Sequence, residues 1–315
     1  MGEIKFAAVV LTYNRISLLK ENIAACEKQI CKPTCMYIVD NNSNDDTESV
    51  IKEIIRTSLL NIKYIKLNKN YGSAGGFYYA IKMAFDDGYD WILTMDDDGR
   101  PGNENTFRFL VESAQKYHEK NPKVVVGPRV TYDGIHSSFS PQFPRDYIES
   151  LDPTKATDFC DFIWPYNGTI FSRELIEEIG FPEKDFFISG DEKDYNYRCI
   201  EAHATIKTVL NAVYFHPSPN NRYRKFLKWN LLLCDEWNER KQYYVFRNQL
   251  IVYLKHKKKY IAQRFYFNRL FAILLYERNK ISGLKILHTA RVDADRVIND
   301  WSLLPVILEK RGDIN

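Results

Sequence analysis

The chain has 315 residues, 45% of them hydrophobic and 27% charged; that is length for about two domains and an ordinary globular composition, so disorder and a disulfide-stapled mini-fold are excluded. The formal net charge of +3 conceals an uneven distribution, because residues from Pro217 onward carry 20 Lys and Arg against 9 Asp and Glu while the first 216 carry 24 against 32. An acidic module is followed by a basic one, and a basic end suits an anionic partner, whether nucleic acid, lipid head group or phosphorylated ligand.

The opening MGEIKFAAVVLTYN runs directly into a strand pattern, and the longest later apolar run, Leu270 to Tyr276, falls far short of the roughly 20 residues a spanning helix needs. Neither a signal peptide nor a transmembrane helix is expected. Six scattered cysteines read as free thiols in a reducing cytoplasm.

In chain order, Phe6 to Leu11 is the first strand-like run. Ile16 to Gln29 follows at helical period, with apolar positions at Leu18, Leu19, Ile23 and Ala24. The alternation then repeats: strand at Met36 to Val39, helix over Thr47 to Leu59, strand at Ile62 to Leu67, helix over Phe77 to Phe85, strand at Trp91 to Met95, helix over Phe107 to Tyr117, strand at Val124 to Val126. Strands alternating with helices predict an α/β fold with a mostly parallel sheet covered on both faces. Ligands of such sheets bind beyond the carboxyl ends of the strands. Here those ends are Thr12 to Arg15, Asp40 and Asn41, Asn68 to Gly76, and Asp96 to Asp98, all polar or glycine-rich.

From Pro128 to Pro165 the pattern breaks into an excursion over that edge. Order returns with YNGTIFSRELIEEIG, a strand and then a helix with Ser172 as N-cap, followed by a helix at DEKDYNYRCIEAHA and a strand over Ala204 to Phe215. Past His216-Pro217 the sequence reads as helical, basic and aromatic, with a broad apolar face over Ala262 to Tyr276. The division expected is therefore an α/β domain over residues 1–217, which the resemblance given below implies to be catalytic, and a helical subdomain over 218–315.

The sharpest chemical feature is WILTMDDDGRP. In extended backbone, side chains two apart point the same way, so Asp96 and Asp98 can converge on one cation while Asp97 faces elsewhere. Hard oxygen ligands suit Mg²⁺ or Mn²⁺, ions that also hold phosphate oxygens. The alternative is an acidic N-terminus for the helix near Asn103. At the first two strand ends, Thr12, Asn14, Asp40 and Asn41 offer groups for a nucleoside. NKNYGSAGGFYYAI places Gly72, Gly75 and Gly76 before a helix, where amides face a ligand. It is neither GxGxxG nor GxxxxGK[ST], which excludes the dinucleotide and P-loop fingerprints.

In FFISGDEKDYNYR, the adjacent Asp191 and Glu192 open a helix; they are either a proton-accepting pair or an acidic first turn. Trp164 and Asn167 suit a sugar, and Trp164 equally suits a core.

These pieces together resemble the family 2 glycosyltransferases of the nucleotide-diphospho-sugar transferase fold, through VVLTYNR, VDNNSNDDT, NYGSAGGF, the DDDG turn, WPYNGTIFSREL, ISGDEKDYNYR and FHP over about residues 4 to 217. Within that family the chain looks most like bacterial galactofuranosyl- and rhamnosyltransferases, which share a YYVFRNQL-type segment (Tyr243 to Leu250). The resemblance implies a Rossmann-like, mostly parallel sheet with a C-terminal helical subdomain. It implies nucleotide contacts at Thr12, Asn14, Arg15, Asp40, Asn41, Asn68, Gly75 and Asp96, and a divalent cation, Mn²⁺ or Mg²⁺, on Asp96, Asp98 and His216. Donor and acceptor sugar contacts fall at Asp97, Trp164 and Asn167, with a base in Asp191-Glu192. Gly190 stands where the galactofuranosyl enzymes more often carry Trp. The partners implied are a nucleotide-sugar donor, UDP-galactofuranose or dTDP-rhamnose, and a glycan or lipid-linked acceptor. The basic C-terminal part would contact an anionic membrane face or a second copy of the chain rather than nucleic acid. A sugar nucleotidyltransferase is disfavoured because LTYNRIS lacks its Gly-rich, Arg-containing loop.

Overall fold

The structure, a computed structural model, describes residues 4–139, 145–152, 154–158, 163–218, 222–234 and 236–310. The first half alternates as the periodicity predicts: β1 (Phe6–Thr12), α1 (Ile16–Glu27), β2 (Cys35–Asp40), α2 (Thr47–Thr57), β3 (Ile62–Lys66), α3 (Gly72–Asp86) and β4 (Trp91–Asp96). Next come β5 (Arg100–Pro101), α4 (Thr106–His118), β6 (Val124–Thr131), a short α5 (Arg145–Glu149), β7 (Asn167–Ser172), α6 (Arg173–Ile179), α7 (Asp191–Glu201) and β8 (Thr205–Phe215). Ser172 caps α6 as expected, its hydroxyl accepting from the Leu175 amide.

Eight strands form one sheet in the order β3-β2-β1-β4-β7-β6-β8-β5. β1 pairs in parallel with β2 and β4, β2 with β3, and β6 with β8. β7 runs antiparallel between β4 and β6, and β5 runs antiparallel to the end of β8. The sheet is therefore mostly parallel with two opposed strands. Every residue of β1 and β2 is buried, which is why these strands read as continuous apolar runs instead of alternating ones. Phe6, Ala8, Val10, Met36, Ile38, Leu93 and Met95 share a core with Leu19, Ile23 and Cys26 of α1 and Phe107, Leu110 and Ala114 of α4.

The chain divides into two compact units. One comprises Met1–Asn70, Gly76–Pro182 and Tyr195–Pro219; the other comprises Tyr71–Gly75, Glu183–Asp194 and Asn220–Asn315. The second unit holds an antiparallel hairpin, β9 (Arg222–Phe226) and β10 (Trp229–Leu233), then α8 (Glu239–Lys255), α9 (Lys259–Leu275), α10 (Lys280–Asn299) and α11 (Leu303–Lys310). Its core joins Tyr244, Val245 and Phe246 to Ile273, Leu287, Ala290 and Leu308.

Three expectations are corrected. The segment just past His216-Pro217 is a hairpin before it is helical, because Leu231 and Leu233 alternate inward at period two and pack on Ala272 of α9. α3 starts at Gly72, so Gly72, Gly75 and Gly76 lie inside its first turns and not ahead of them. Gly72 has φ +71°, and a Cβ there would meet the Phe187 carbonyl, a position only glycine fills. β6 continues through Pro128 to Thr131 instead of breaking at Val126, with a register shift against β8 at Pro128/Arg129. The described cysteines Cys26, Cys31, Cys35, Cys199 and Cys234 are free thiols. No helix among the described residues is long and apolar enough to cross a membrane.

Gly168 opens β7 at φ +76°, and a Cβ there would lie 2.7 Å from the Tyr214 ring. Strain and overlap act together, so Gly168→Ala should lower unfolding free energy by about 2 kcal/mol. Urea denaturation followed by circular dichroism measures this; an unchanged midpoint would contradict the packing described.

Candidate functional site

β4 ends in Asp96, Asp97 and Asp98, and the chain reverses at Gly99 into β5. The two residues of β5 pair with the last two of β8, Arg100 with Phe215 and Pro101 with Tyr214. That pairing places Asp98 beside His216: Asp98 Oδ1 lies 3.4 Å from His216 Nε2. Asp96, Asp98 and His216 each offer a ligand atom, all within 4.8 Å of one another. His216 Nδ1 lies 2.7 Å from the Pro217 carbonyl oxygen. A carbonyl only accepts, so Nδ1 carries a proton and Nε2 is the nitrogen turned to Asp98, where it donates to the carboxylate or, once it has lost its own proton, can ligate a cation. Two carboxylates and one neutral imidazole are a donor set that Mn²⁺ or Mg²⁺ fits.

Asp97 points the other way and is 5% exposed. Its Oδ2 accepts from the Thr12 hydroxyl at 2.8 Å and the Tyr13 amide at 3.4 Å. Arg15 bridges the aspartates, with Nη1 3.2 Å from Asp97 and 2.8 Å from Asp98. Burial raises the pKa of Asp97, partly offset by Arg15 and Thr12. Burial acts on Asp98 in the same sense, but the hydrogen bond and charge of His216, with Arg15, outweigh it and hold that carboxyl below its ordinary value.

The other predicted nucleotide residues of this unit knit the neighbouring strand ends together. Asn14, in the left-handed region at φ 53°, donates its amide to Ser43 Oγ at 2.9 Å and accepts from the Asn44 amide at 2.8 Å. Asp40 is fully buried; its oxygens accept from the Ser43 amide at 2.7 Å and the Tyr64 hydroxyl at 2.6 Å. The Asn41 side chain donates to Asn70 at 3.0 Å. Asn68, just beyond β3, is exposed. Trp164 packs on Phe139, ring centroids 4.4 Å apart, and Phe139 in turn lies 5.2 Å from the His216 ring. Asn167 is buried at the start of β7. Gly75, Asp191 and Glu192 belong to the second unit, where Asp191 is buried and Glu192 half-buried in the first turn of α7.

Several supporting residues escape the motif reading. Asn22, fully buried in α1, donates its side-chain amide to the Gly99 carbonyl at 2.6 Å and clamps the aspartate turn. Tyr214 fills the space under that turn; a Cβ at Gly99 would lie 2.7 Å from its hydroxyl. Tyr64 and Ser43 orient Asp40. The one trace of Asn22 in the sequence is a polar residue beside Ile23 on the apolar side of a helix. A cleft of about 720 Å³ lined by Glu21, Lys28, Arg100 and Phe215 adjoins β5 but contains none of the predicted site residues.

A mostly parallel sheet with an acidic, metal-type cluster at its carboxyl edge is an α/β arrangement suited to a nucleotide ligand. The model of glycosyl transferase family 2 matches residues 7–180, and the chain belongs to that family: it is a glycosyltransferase. It is 26% identical over 247 residues to the galactofuranosyltransferase GlfT1 of Mycolicibacterium smegmatis, covering 77% of this chain and 80% of that one. It is 25% identical over 198 residues to the dTDP-rhamnosyl transferase RfbF of Shigella flexneri, covering 61% and 62%. Among solved structures, the fold matches S. aureus TarS 1-349 in complex with UDP-GlcNAc at 17% identity and TM-score 0.55, covering 98% of this chain and 92% of that one. It also matches the mannosyltransferase PcManGT of Pyrobaculum calidifontis in complex with GDP-Man and Mn²⁺ at 15% identity and TM-score 0.53, covering 99% and 80%.

Asp98→Ala should abolish Mn²⁺ binding, and Asp96→Ala should weaken it at least tenfold. Asp97→Ala should leave it within about threefold, because Asp97 faces Thr12 and Arg15. Electron paramagnetic resonance titration of free Mn²⁺ measures all three; equal affinity in the Asp96 and Asp98 variants and the unchanged protein would refute the ligand assignment.

Proposed function

We propose that the protein is an inverting, metal-dependent glycosyltransferase that moves galactofuranose from UDP-galactofuranose onto a glycan or lipid-linked acceptor of the cell envelope. The observation that carries the reading is the convergence of Asp96, Asp98 and His216 at the carboxyl ends of β4 and β8 in a family 2 chain. The galactofuranosyl donor is favoured by the GlfT1 relatives, which match over more of the chain than RfbF does. Rhamnose from dTDP-rhamnose is the second reading, favoured by RfbF.

A divalent cation on Asp96, Asp98 and His216 supplies positive charge against the diphosphate of the leaving nucleotide. Asp40 and Asn41 are the proposed acceptors and donors for the base and ribose, and Thr12, Asn14, Arg15, Asn68 and Gly75 are further proposed nucleotide contacts. Asp97, Trp164 and Asn167 are the proposed sugar contacts. Glu192, assisted by Asp191, takes the proton from the acceptor hydroxyl as its oxygen bonds to the anomeric carbon. The carbon–oxygen bond to the diphosphate breaks in the same step, releasing the nucleoside diphosphate with inversion of configuration.

Incubation with a panel of nucleotide sugars and Mn²⁺ tests the reading: slow hydrolysis should be fastest for UDP-galactofuranose, and turnover of none of them would overturn it. Glu192→Gln should lower turnover by about two orders of magnitude or more while leaving donor affinity intact; near-normal turnover would move the base to Asp191 or elsewhere.

We further propose that the second unit docks on an anionic membrane face. α9 exposes Tyr260, Ile261, Phe267, Leu274 and Leu275, and the β9–β10 turn exposes Leu227 between Lys225 and Lys228. Lys257, Lys258 and Lys259 are exposed at the start of α9. Apolar insertion and attraction of about 1 kcal/mol per basic residue act together on such a surface. Co-sedimentation with vesicles containing phosphatidylglycerol but not with phosphatidylcholine alone is expected, weakened by salt and by changing the three lysines to glutamate. Equal pelleting with both, or with neither, would reject docking and favour a contact between copies of the chain.

A further inference from the structure

Arg247 and Asn248 are both completely buried in the middle of α8, a helix whose other inward residues are Tyr244, Val245, Phe246, Leu250 and Ile251. Burying a guanidinium and an amide in an apolar helix is costly unless each finds partners. Their partners are backbone carbonyls of one segment, the 185–190 stretch that leads into α7. The Asn248 amide nitrogen donates to the carbonyls of Phe186 at 2.9 Å, Ile188 at 2.9 Å and Ser189 at 2.8 Å. Arg247 Nε donates to Asn248 Oδ1 at 2.8 Å, and Nη2 lies 3.4 Å from the carbonyls of both Asp185 and Phe186. The chemistry permits only one orientation of the amide, since guanidinium can only donate and carbonyls can only accept.

That segment begins in a short 3-10 turn, Lys184–Phe186, and then leaves regular structure. Phe187 and Ser189 lie in the left-handed region at φ 66° each, and Gly190 follows at φ 96°. Each non-glycine residue in such a conformation is strained and persists only where its surroundings fix it. Asn248 also sets the identity of residue 190, because a Cβ on Gly190 would lie 2.8 Å from the Asn248 Cβ. Immediately beyond come Asp191 and Glu192. The grip continues into the first turn of α7: Lys193 donates to Gln249 and Tyr253 at 2.5 and 2.8 Å, and Asp194 meets Lys255 at 2.7 Å and His256 at 2.9 Å.

We infer that Arg247 and Asn248 are positioning residues: by holding the 185–190 segment, left-handed at Phe187, Ser189 and Gly190, they fix the backbone from which Asp191 and Glu192 project, and so set the aim of the base without touching substrate. The inference rests on the reading of Asp191-Glu192 as the base. Its structural half, the clamp, is measurable without turnover.

The test compares the full chain with Asn248→Ala, the milder Arg247→Lys, and Glu277→Gln as a control. Glu277 is a buried partner of Arg269 in the same unit and belongs to no proposed machinery. Amide hydrogen exchange should accelerate about tenfold or more across residues 185–192 in Asn248→Ala, and by a smaller factor in Arg247→Lys, with Glu277→Gln unchanged there. With UDP-galactofuranose, kcat should fall at least tenfold in Asn248→Ala while donor KM stays within twofold, and Arg247→Lys should recover part of that loss. Exchange at 185–192 equal to the unaltered protein, or raised only as far as in Glu277→Gln, overturns the clamp. Accelerated exchange with unchanged kcat overturns its catalytic role. If the unaltered protein turns over no nucleotide sugar, it is the functional reading that fails, and the exchange comparison still decides the clamp.

Discussion

The two-residue pairing of β5 with the end of β8 is the constraint on which the site depends. Strand β4 delivers three aspartates to the sheet edge, and a free acidic loop would spread them apart by mutual repulsion. Gly99 lets the chain reverse over the Tyr214 ring, and Pro101 and Arg100 then register against Tyr214 and Phe215. His216, the next residue, arrives beside Asp98 as a consequence of that register. Asn22 holds the same turn from α1 with a buried hydrogen bond to Gly99. A candidate ligand set from two strand ends separated by more than a hundred residues is thus assembled by backbone pairing and one small residue, before any cation is considered.

Electrostatics gives that arrangement its direction. The first 216 residues are net acidic, an unfavourable surface for a nucleotide diphosphate unless a cation intervenes at the contact. The aspartates divide the work: Asp97 turns inward to Thr12 and Arg15, while Asp96 and Asp98 remain with His216. Asp97 and Asp98 lie in the turn beyond β4, so this turn sets the split and not the strand alternation expected from the sequence. The pKa directions follow it, with Asp97 raised by burial and Asp98 held down by His216 and Arg15. Arg15, half exposed, is bonded to both Asp97 and Asp98.

Much of this was legible in the sequence because the parallel half of the sheet is buried on both faces. Continuous apolar runs at Phe6, Met36, Trp91 and Val124 have no other stable use, and the polar residues that end them mark the ligand edge. Tertiary pairing was less legible. Nothing local in YNGTIFS says that β7 runs antiparallel between β4 and β6, and the β9–β10 hairpin lies in a stretch whose Tyr, Trp and Lys suit helix and strand alike. Gly72, Gly75 and Gly76 look like a loop because glycine disfavours helix; they begin α3 because Gly72 must pass close to the Phe187 backbone. The roles of Asn22, Arg247 and Asn248 stayed hidden for a shared reason: each serves backbone carbonyls far away in sequence, and carbonyls leave no signature in the residue string.

The central claim is that Asp96, Asp98 and His216 hold the divalent cation that receives the nucleotide diphosphate. Anomalous diffraction at the manganese edge from crystals grown with Mn²⁺ and UDP tests it most directly. The account predicts one strong peak within coordination distance of an Asp96 oxygen, an Asp98 oxygen and His216 Nε2, and of the UDP phosphates. Ordered UDP with no manganese peak there, or with the peak on other residues, would contradict it.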